Sequence, residues 1–250
     1  MYHQVLPSAP PVGPQGYFAV SREQFGQQLA VLSAAGYHGV SLEEAAVANS
    51  ERAVGITFDD GDWTSYAVAF PELAARRMAA TFFVITSRIG TPGFATWQEL
   101  REMRRAGMSI QSHTHSHPFL STLEPADVAS ELIESKRLLD AMLEQETVGV
   151  SLPNGDHPRA GALAAARSAG YRWVATSRWG PNHGDTRDSL VRRYTIRRAT
   201  TSEAFAALVR RQPPAWSSQG LRLVVLEQIR GILGVARYAR WRRKAMHLLG

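Results

Sequence analysis

Two short stretches carry the residue types that metal-assisted hydrolysis needs. Thr57-Phe58-Asp59-Asp60-Gly61 closes an apolar run with two adjacent carboxylates and a glycine. Ser112-His113-Thr114-His115-Ser116-His117-Pro118 sets two imidazoles four residues apart, with a third between them. Together they offer one carboxylate and two imidazoles to a divalent ion, and leave one carboxylate to move protons. Neighbours on an extended chain point to opposite sides, so at a strand end one aspartate can ligate while the other faces the ion across the pocket. Two adjacent carboxylates raise each other's proton affinity unless a cation intervenes. A metal would keep Asp60 ionised, and Asp59 could then accept a proton from water. Neutral imidazole suits Zn2+ and also Co2+, Ni2+ or Fe2+. Taken singly, each stretch also reads as a polar surface turn; the buried strand expected before Asp59 weighs against that for the first. His115 points away from its neighbours in this reading and has no ligand role.

The rest of the chain bounds what can position these groups. It has 250 residues, enough for one full-sized core, and 44% are hydrophobic, as in a globular protein. There is no cysteine, which excludes thiolate zinc sites and disulfides. The start, Met1-Tyr2-His3-Gln4-Val5, lacks the basic and apolar segments of a signal peptide, and no window resembles a membrane span. The expectation is a soluble cytoplasmic protein. Net charge is +6, almost all of it from arginine, since Lys136 and Lys244 are the only lysines. Such a balance permits anionic partners without choosing among them.

Strand and helix signals alternate. A cap pair Ser21/Gln24 opens a helix with Phe25, Leu29 and Leu32 on its apolar face, and Ser41/Glu44 opens a shorter one. Strands are expected at 54–58, 79–85, 108–111, 148–152, 171–176 and, less regularly, 193–196. Helices are expected at 66–77, 96–106, 125–143, 158–169 and 202–211. This alternation implies parallel strands joined by helical crossovers, in a number that suits a barrel better than a small open sheet. In such folds the chemistry sits at the carboxyl ends of the strands. Asp59-Asp60, His113 and the Pro153-Asn154-Gly155 turn each follow a predicted strand, so they share one rim. Residues 211–220 read as a linker, and 221–250 as two helices.

Thr57-Phe-Asp-Asp-Gly61 with His113-Thr-x-x-His117 resembles the polysaccharide deacetylase family, the nodulation-deacetylase homology domain of carbohydrate esterase family four. Tyr2-His3, Ala80-Thr81-Phe82-Phe83-Val84, Trp97 and Gly107-Met108-Ser109-Ile110 agree with it. The resemblance covers roughly residues 1–210. It implies an α/β fold, an irregular (β/α)7-type barrel over 1–212, with a linker and basic helical extension over 213–250. It implies that Asp60, His113 and His117 hold the metal, zinc first among the candidates, that Asp59 is the catalytic base, and that the Asn154 backbone N–H stabilises the oxyanion. Two family features are absent. Ser151 stands where many members carry the arginine that orients the base, so Asp59 must be oriented from elsewhere. Glu227 stands nearest to the family's last histidine, the leaving-group acid; His3 and His183 are the alternative candidates for that role and for substrate contact.

Trp179, in a glycine-containing loop, is the aromatic best placed to stack on a sugar. Arg230, Arg237, Arg240, Arg242, Arg243 and Lys244 lie beside Tyr238 and Trp241 in the C-terminal run. That run reads either as the solvated face of a helix against the barrel or as a peripheral contact with the inner face of a membrane. The expected activity is removal of an N-acetyl group from an amino sugar or related small substrate by attack of a metal-bound water. The alternatives are a binding protein on a retained metal scaffold, or a hydrolase of other amide bonds. No nucleic-acid partner is expected.

Overall fold

The computed structural model describes residues 1–47, 52–156, 160–182 and 190–210. The chain forms two compact units, Met1–Val5 with Tyr37–Thr195, and Leu6–Gly36 with Ile196–Gly250. In chain order the elements are β1 (Gln4–Leu6), β2 (Ala19–Ser21), α1 (Arg22–Ala34), β3 (His38–Val40), α2 (Leu42–Val47), β4 (Ala53–Gly55), β5 (Thr57–Phe58), α3 (Phe70–Ala74), β6 (Thr81–Val84), α4 (Trp97–Arg105), β7 (Ser109–Ser112), α5 (Pro125–Leu143), β8 (Gly149–Ser151), α6 (Ala160–Ser168), β9 (Trp173–Ala175), β10 (Leu190–Val191) and α7 (Ser202–Val209).

In the first unit six parallel strands follow one another in the order β10-β9-β8-β7-β6-β5. Spatial order equals chain order. This is single winding, as in a barrel; a doubly wound sheet would reverse at a switch point. The sheet curls into a half-barrel. Its first edge is extended by Tyr2, which pairs in parallel with Phe58; Tyr2 N–H donates to Thr57 O (2.8 Å) and Asp59 N–H to Tyr2 O (3.0 Å). The Met1 amine donates to Tyr194 O (2.8 Å), so the segment 1–3 spans the gap between the β5 and β10 edges.

The period-two rule of strands then determines what lies inside. Thr57 and Asp59, Phe83, Gln111 and His113, Gly149 and Ser151, Trp173 and Ala175, Val191 and Arg193 alternate with residues that face the helices. Leu42, Phe83, Trp173, Ala175 and Val191 form one buried cluster there. Below it, α2 closes the amino ends of the strands. Ser41 and Glu44 make a reciprocal capping box, with N–H···O distances of 3.0 and 3.1 Å. Glu43 then accepts from Ser109 Oγ (2.8 Å), Gln111 Nε2 (2.6 Å) and Thr81 Oγ1 (3.2 Å). The carboxyl ends of the strands are left for the polar cluster.

Some local expectations change. The segment 53–58 is two strands rather than one, because Ile56 leaves the β3 ladder to enter the main sheet: Ile56 N–H bonds Val40 O, and Ile56 O accepts from Thr81 N–H. The expected strand at 193–196 falls instead at Leu190–Val191. Ser21 does cap α1 through Gln24 N–H (3.0 Å), but the Gln24 side chain donates to Arg198 O and Thr200 O rather than back to Ser21. In the second unit this ties α1 to the segment before α7. The 213–250 extension with its linker and basic helices lies outside the described residues.

Candidate metal centre and active site

Asp60 follows β5, and His113 and His117 follow β7. The structure brings them together with one ligand atom from each within 4.8 Å of the others. His113 Nε2 lies 3.4 Å and His117 Nε2 3.5 Å from the same oxygen, Asp60 Oδ1. The two rings stand edge to face at 4.8 Å. His113 Nδ1 is 2.8 Å from Ser151 O, and a carbonyl can only accept, so Nδ1 carries the proton and Nε2 faces the cluster. Two imidazoles and one carboxylate, with the outer ring nitrogen of His113 anchored on a backbone carbonyl, make the donor set of a divalent-ion site, and the three residues fit one ion.

Backbone geometry supports a functional reading. Asp60 (φ 77°), Thr114 (φ 65°), His117 (φ 66°) and Asn154 (φ 59°) all take left-handed conformations. Each costs roughly 1–3 kcal/mol, less for Asp and Asn, and persists only where the surroundings over-determine it. Gly61 (φ 76°) must be glycine, because a Cβ there would collide with the Val84 side chain.

Asp59 is buried beside the cluster, 4.0 Å from His113 Nε2. Arg193 grips it with both arms: Nη1 donates to Oδ1 (2.6 Å) and Nη2 to Oδ2 (2.9 Å). Ser151 Oγ closes the triangle, accepting from Arg193 Nη2 (2.7 Å) and donating to Asp59 Oδ2 (3.3 Å). Arg193 is fixed in turn by Nε–H donation to Thr176 O (3.0 Å) and by stacking over Phe83, 5.2 Å from the ring centroid. The arginine absent from position 151 is therefore supplied from beyond β10, and Ser151 leaves room for it. Arg193 is not singled out by the sequence, where the strand expected at 193–196 lies three to five residues beyond the observed Leu190–Val191. With β10 located at 190–191, strand parity accounts for it: Val191 inward puts Arg193 inward at the carboxyl end.

Burial alone would raise the Asp59 pKa, but the charges of Arg193 and His113 and the Arg193 hydrogen bond outweigh it, and the carboxyl is held below its usual range. Asp60 is likewise depressed, burial being overcome by its hydrogen bond to His113 and by the charges of His3, His113 and His117. Burial lowers His113, yet Asp59 and Asp60 reverse this and its pKa is raised. His117 is pushed down to about 4 by burial and the neighbouring His113 charge. His3 is lowered by burial, and it feels the charges of Asp60, Asp59, His113 and Arg193, which places it at the same rim.

Asn154 sits in the turn after β8, and its Nδ2 donates to His117 O (3.3 Å). Trp179 is half-buried after β9, with its ring edge-on to Tyr194 at 4.8 Å. His115 takes no part in the triad; its Nδ1 is 3.0 Å from Thr86 Oγ1. His183 and Glu227 lie outside the described residues.

Residues 46–174 match the family model for polysaccharide deacetylase. The chain is 33% identical over 196 residues to YxkH of Bacillus subtilis, a presumed polysaccharide deacetylase, covering 76% of this chain and 70% of that one. It is 29% identical over 143 residues to the peptidoglycan-N-acetylglucosamine deacetylase of Bacillus cereus, covering 57% of this chain and 62% of the relative, so it spans less than two thirds of that protein. Among solved structures it resembles the Streptococcus pyogenes deacetylase PplD in complex with acetate, with TM-score 0.73, 28% identity, and 86% and 96% of the two chains covered.

Proposed function

Since the chain belongs to the polysaccharide deacetylase family, we propose that it hydrolyses the N-acetyl group of an amino sugar, with Asp60, His113 and His117 holding a divalent ion, zinc in the first instance. The observation that carries this reading is an unligated carboxylate, Asp59, locked by Arg193 against the three-ligand cluster. When bound, the ion supplies Lewis acidity to the acetyl carbonyl and acidifies a water. Asp59 accepts the proton of the attacking water; its lowered pKa keeps it ionised and ready at neutral pH. Arg193 and Ser151 hold its oxygens at a set orientation. The Asn154 N–H donates to the tetrahedral oxyanion. The C–N bond then breaks, the nitrogen takes from Asp59 the proton that the attacking water gave up, and acetate and a free amine leave; His3, its pKa lowered by burial, is neutral at neutral pH and lines the same rim. Trp179 presents an aromatic ring to the sugar at the same rim.

The names of the relatives support an N-acetylglucosamine unit as substrate class, peptidoglycan in the Bacillus cereus case. No helix among the described residues is long and apolar enough to cross a membrane; a cytoplasmic or membrane-peripheral location is a separate proposal, tested by cell fractionation. The test of activity is acetate release by the zinc-loaded protein from a panel of N-acetylglucosamine monomer, β-1,4 and β-1,6 oligomers and peptidoglycan fragments. Acetate and primary amine should appear in equal amounts. A zinc-loaded protein that releases acetate from none of them overturns the reading.

A further inference from the structure

We infer that Glu131, on the inner face of α5, is a positioning residue for the metal centre: its carboxylate holds the loop that carries both histidine ligands in its ligating shape. The inference rests on the metal-site reading above and concerns a residue on another element, beyond those that touch the ion.

The loop 113–117 turns twice through left-handed conformations, at Thr114 and His117, so that imidazoles on either side of the turn face one point. A β-branched threonine is strained in that conformation, and the loop has no regular ladder to hold it. Its backbone donors are nonetheless all accounted for. His113 N–H bonds Val84 O (2.9 Å) in the sheet. Thr114 N–H bonds Ser112 Oγ (3.1 Å), and His117 N–H bonds Thr114 Oγ1 (3.1 Å). The two donors between them, His115 N–H (3.0 Å) and Ser116 N–H (2.8 Å), both go to Glu131 Oε2. Ser116 Oγ donates to the other oxygen, Oε1 (2.5 Å). One helix turn on, Ser135 Oγ lies 2.7 Å from Ser112 Oγ, the group that holds Thr114.

Residues four apart on a helix stand above one another, so Glu131 and Ser135 present one polar edge to the loop. α5 is anchored independently through Val128, Leu132, Leu139 and Leu143, all buried. The loop is thus templated by a rigid element. Without Glu131 two adjacent backbone N–H groups lose their acceptor, and the turn relaxes with His117 at its far end. Neighbours that hold metal ligands in place typically contribute about ten- to a hundred-fold to affinity.

The test compares wild type, Glu131→Ala, Glu131→Gln and, as a control on the same helix, Glu134→Ala, which removes an exposed pair with Arg137 and no hydrogen bond to the loop. Zinc affinity of metal-stripped protein is measured by competition with a chromogenic chelator, alongside circular dichroism and the metal-free melting temperature. The expected result is weaker zinc binding, by about ten-fold or more in Glu131→Ala, a smaller loss in Glu131→Gln, and no change in Glu134→Ala. Acetate release by Glu131→Ala should recover as zinc is raised. A dissociation constant within about two-fold of wild type in folded Glu131→Ala, set against that ten-fold expectation, overturns the inference; if that variant does not fold, Glu131→Gln decides by the same criterion. Wild type that binds zinc but releases no acetate overturns the proposed activity instead, and leaves the affinity comparison standing.

Discussion

At the scale of single residues the proposed mechanism divides two jobs between adjacent carboxylates. Asp60 faces the histidines and Asp59 faces Arg193, because the chain leaves β5 after Phe58 and turns through a left-handed conformation at Asp60. Asp59→Asn should lower turnover by about two to four orders of magnitude while zinc binding persists, since it removes the proton acceptor and no ligand; acetate release and a zinc titration on the same protein check both halves. Arg193→Ala leaves a buried carboxylate without its partner. It should cost about 3–5 kcal/mol of stability and most of the activity, read by urea unfolding and acetate release. Arg193→Lys keeps the charge but not the two-armed grip, so kcat should fall more than KM rises. Proton competition at the ligands has a sign that can be worked out. The raised pKa of His113 means the metal-free protein holds a proton there that an ion must displace. Zinc affinity should therefore rise with pH through the ordinary histidine range, about 6.5 and above. His117, down at about 4, competes only in acid. Calorimetry in two buffers of different ionisation enthalpy should show proton release on zinc binding near neutral pH; uptake, or no release, contradicts the assignment.

At the scale of elements, short strands do the positioning. β5 is two residues long and β8 three, yet each delivers a site residue at its carboxyl end: Asp59 directly follows Phe58, and Ser151 closes β8 level with His113. The layer beneath them is what makes that placement reproducible. Trp173 lies against Gly149, where any Cβ would run into the indole ring. Gly149→Ala should overpack this layer, costing about 1–3 kcal/mol, and should disturb Ser151 two residues on; a lower melting temperature with reduced turnover at saturating zinc is the expected pair of results. The helices were readable because their ends carry chemistry of their own. Thr96 and Glu99 make the reciprocal capping box of α4, and Pro125 opens α5 where expected. β10 was not readable in the same way. Leu190–Val191 is too short to show alternation, and the arginines after it look like a solvated stretch until the opposite edge of the sheet is in view.

At the scale of the whole molecule, the ligands are held by sheet and helix hydrogen bonds that exist without an ion. Chelation should abolish activity while leaving the far-ultraviolet circular dichroism unchanged. Zinc at about a hundred times its dissociation constant should stabilise the folded state by about 2.7 kcal/mol, seen as a rise in melting temperature. Alternating strand and helix signals, the Asp59-Asp60 pair and the His113/His117 spacing were enough, on the chain alone, to expect a singly wound α/β fold with a metal-hydrolase rim. Those features are local: capping, periodicity and ligand spacing act over a few residues and leave their mark in the order of the letters. Arg193 on Asp59, 134 residues apart, and Glu131 on the histidine loop are of another kind. They come from curling the sheet until side chains reach from one edge to the other, and from the register of a helix against a turn. An arginine and a glutamate at those positions look no different from surface charges until the burial of the backbone decides which partners are within reach.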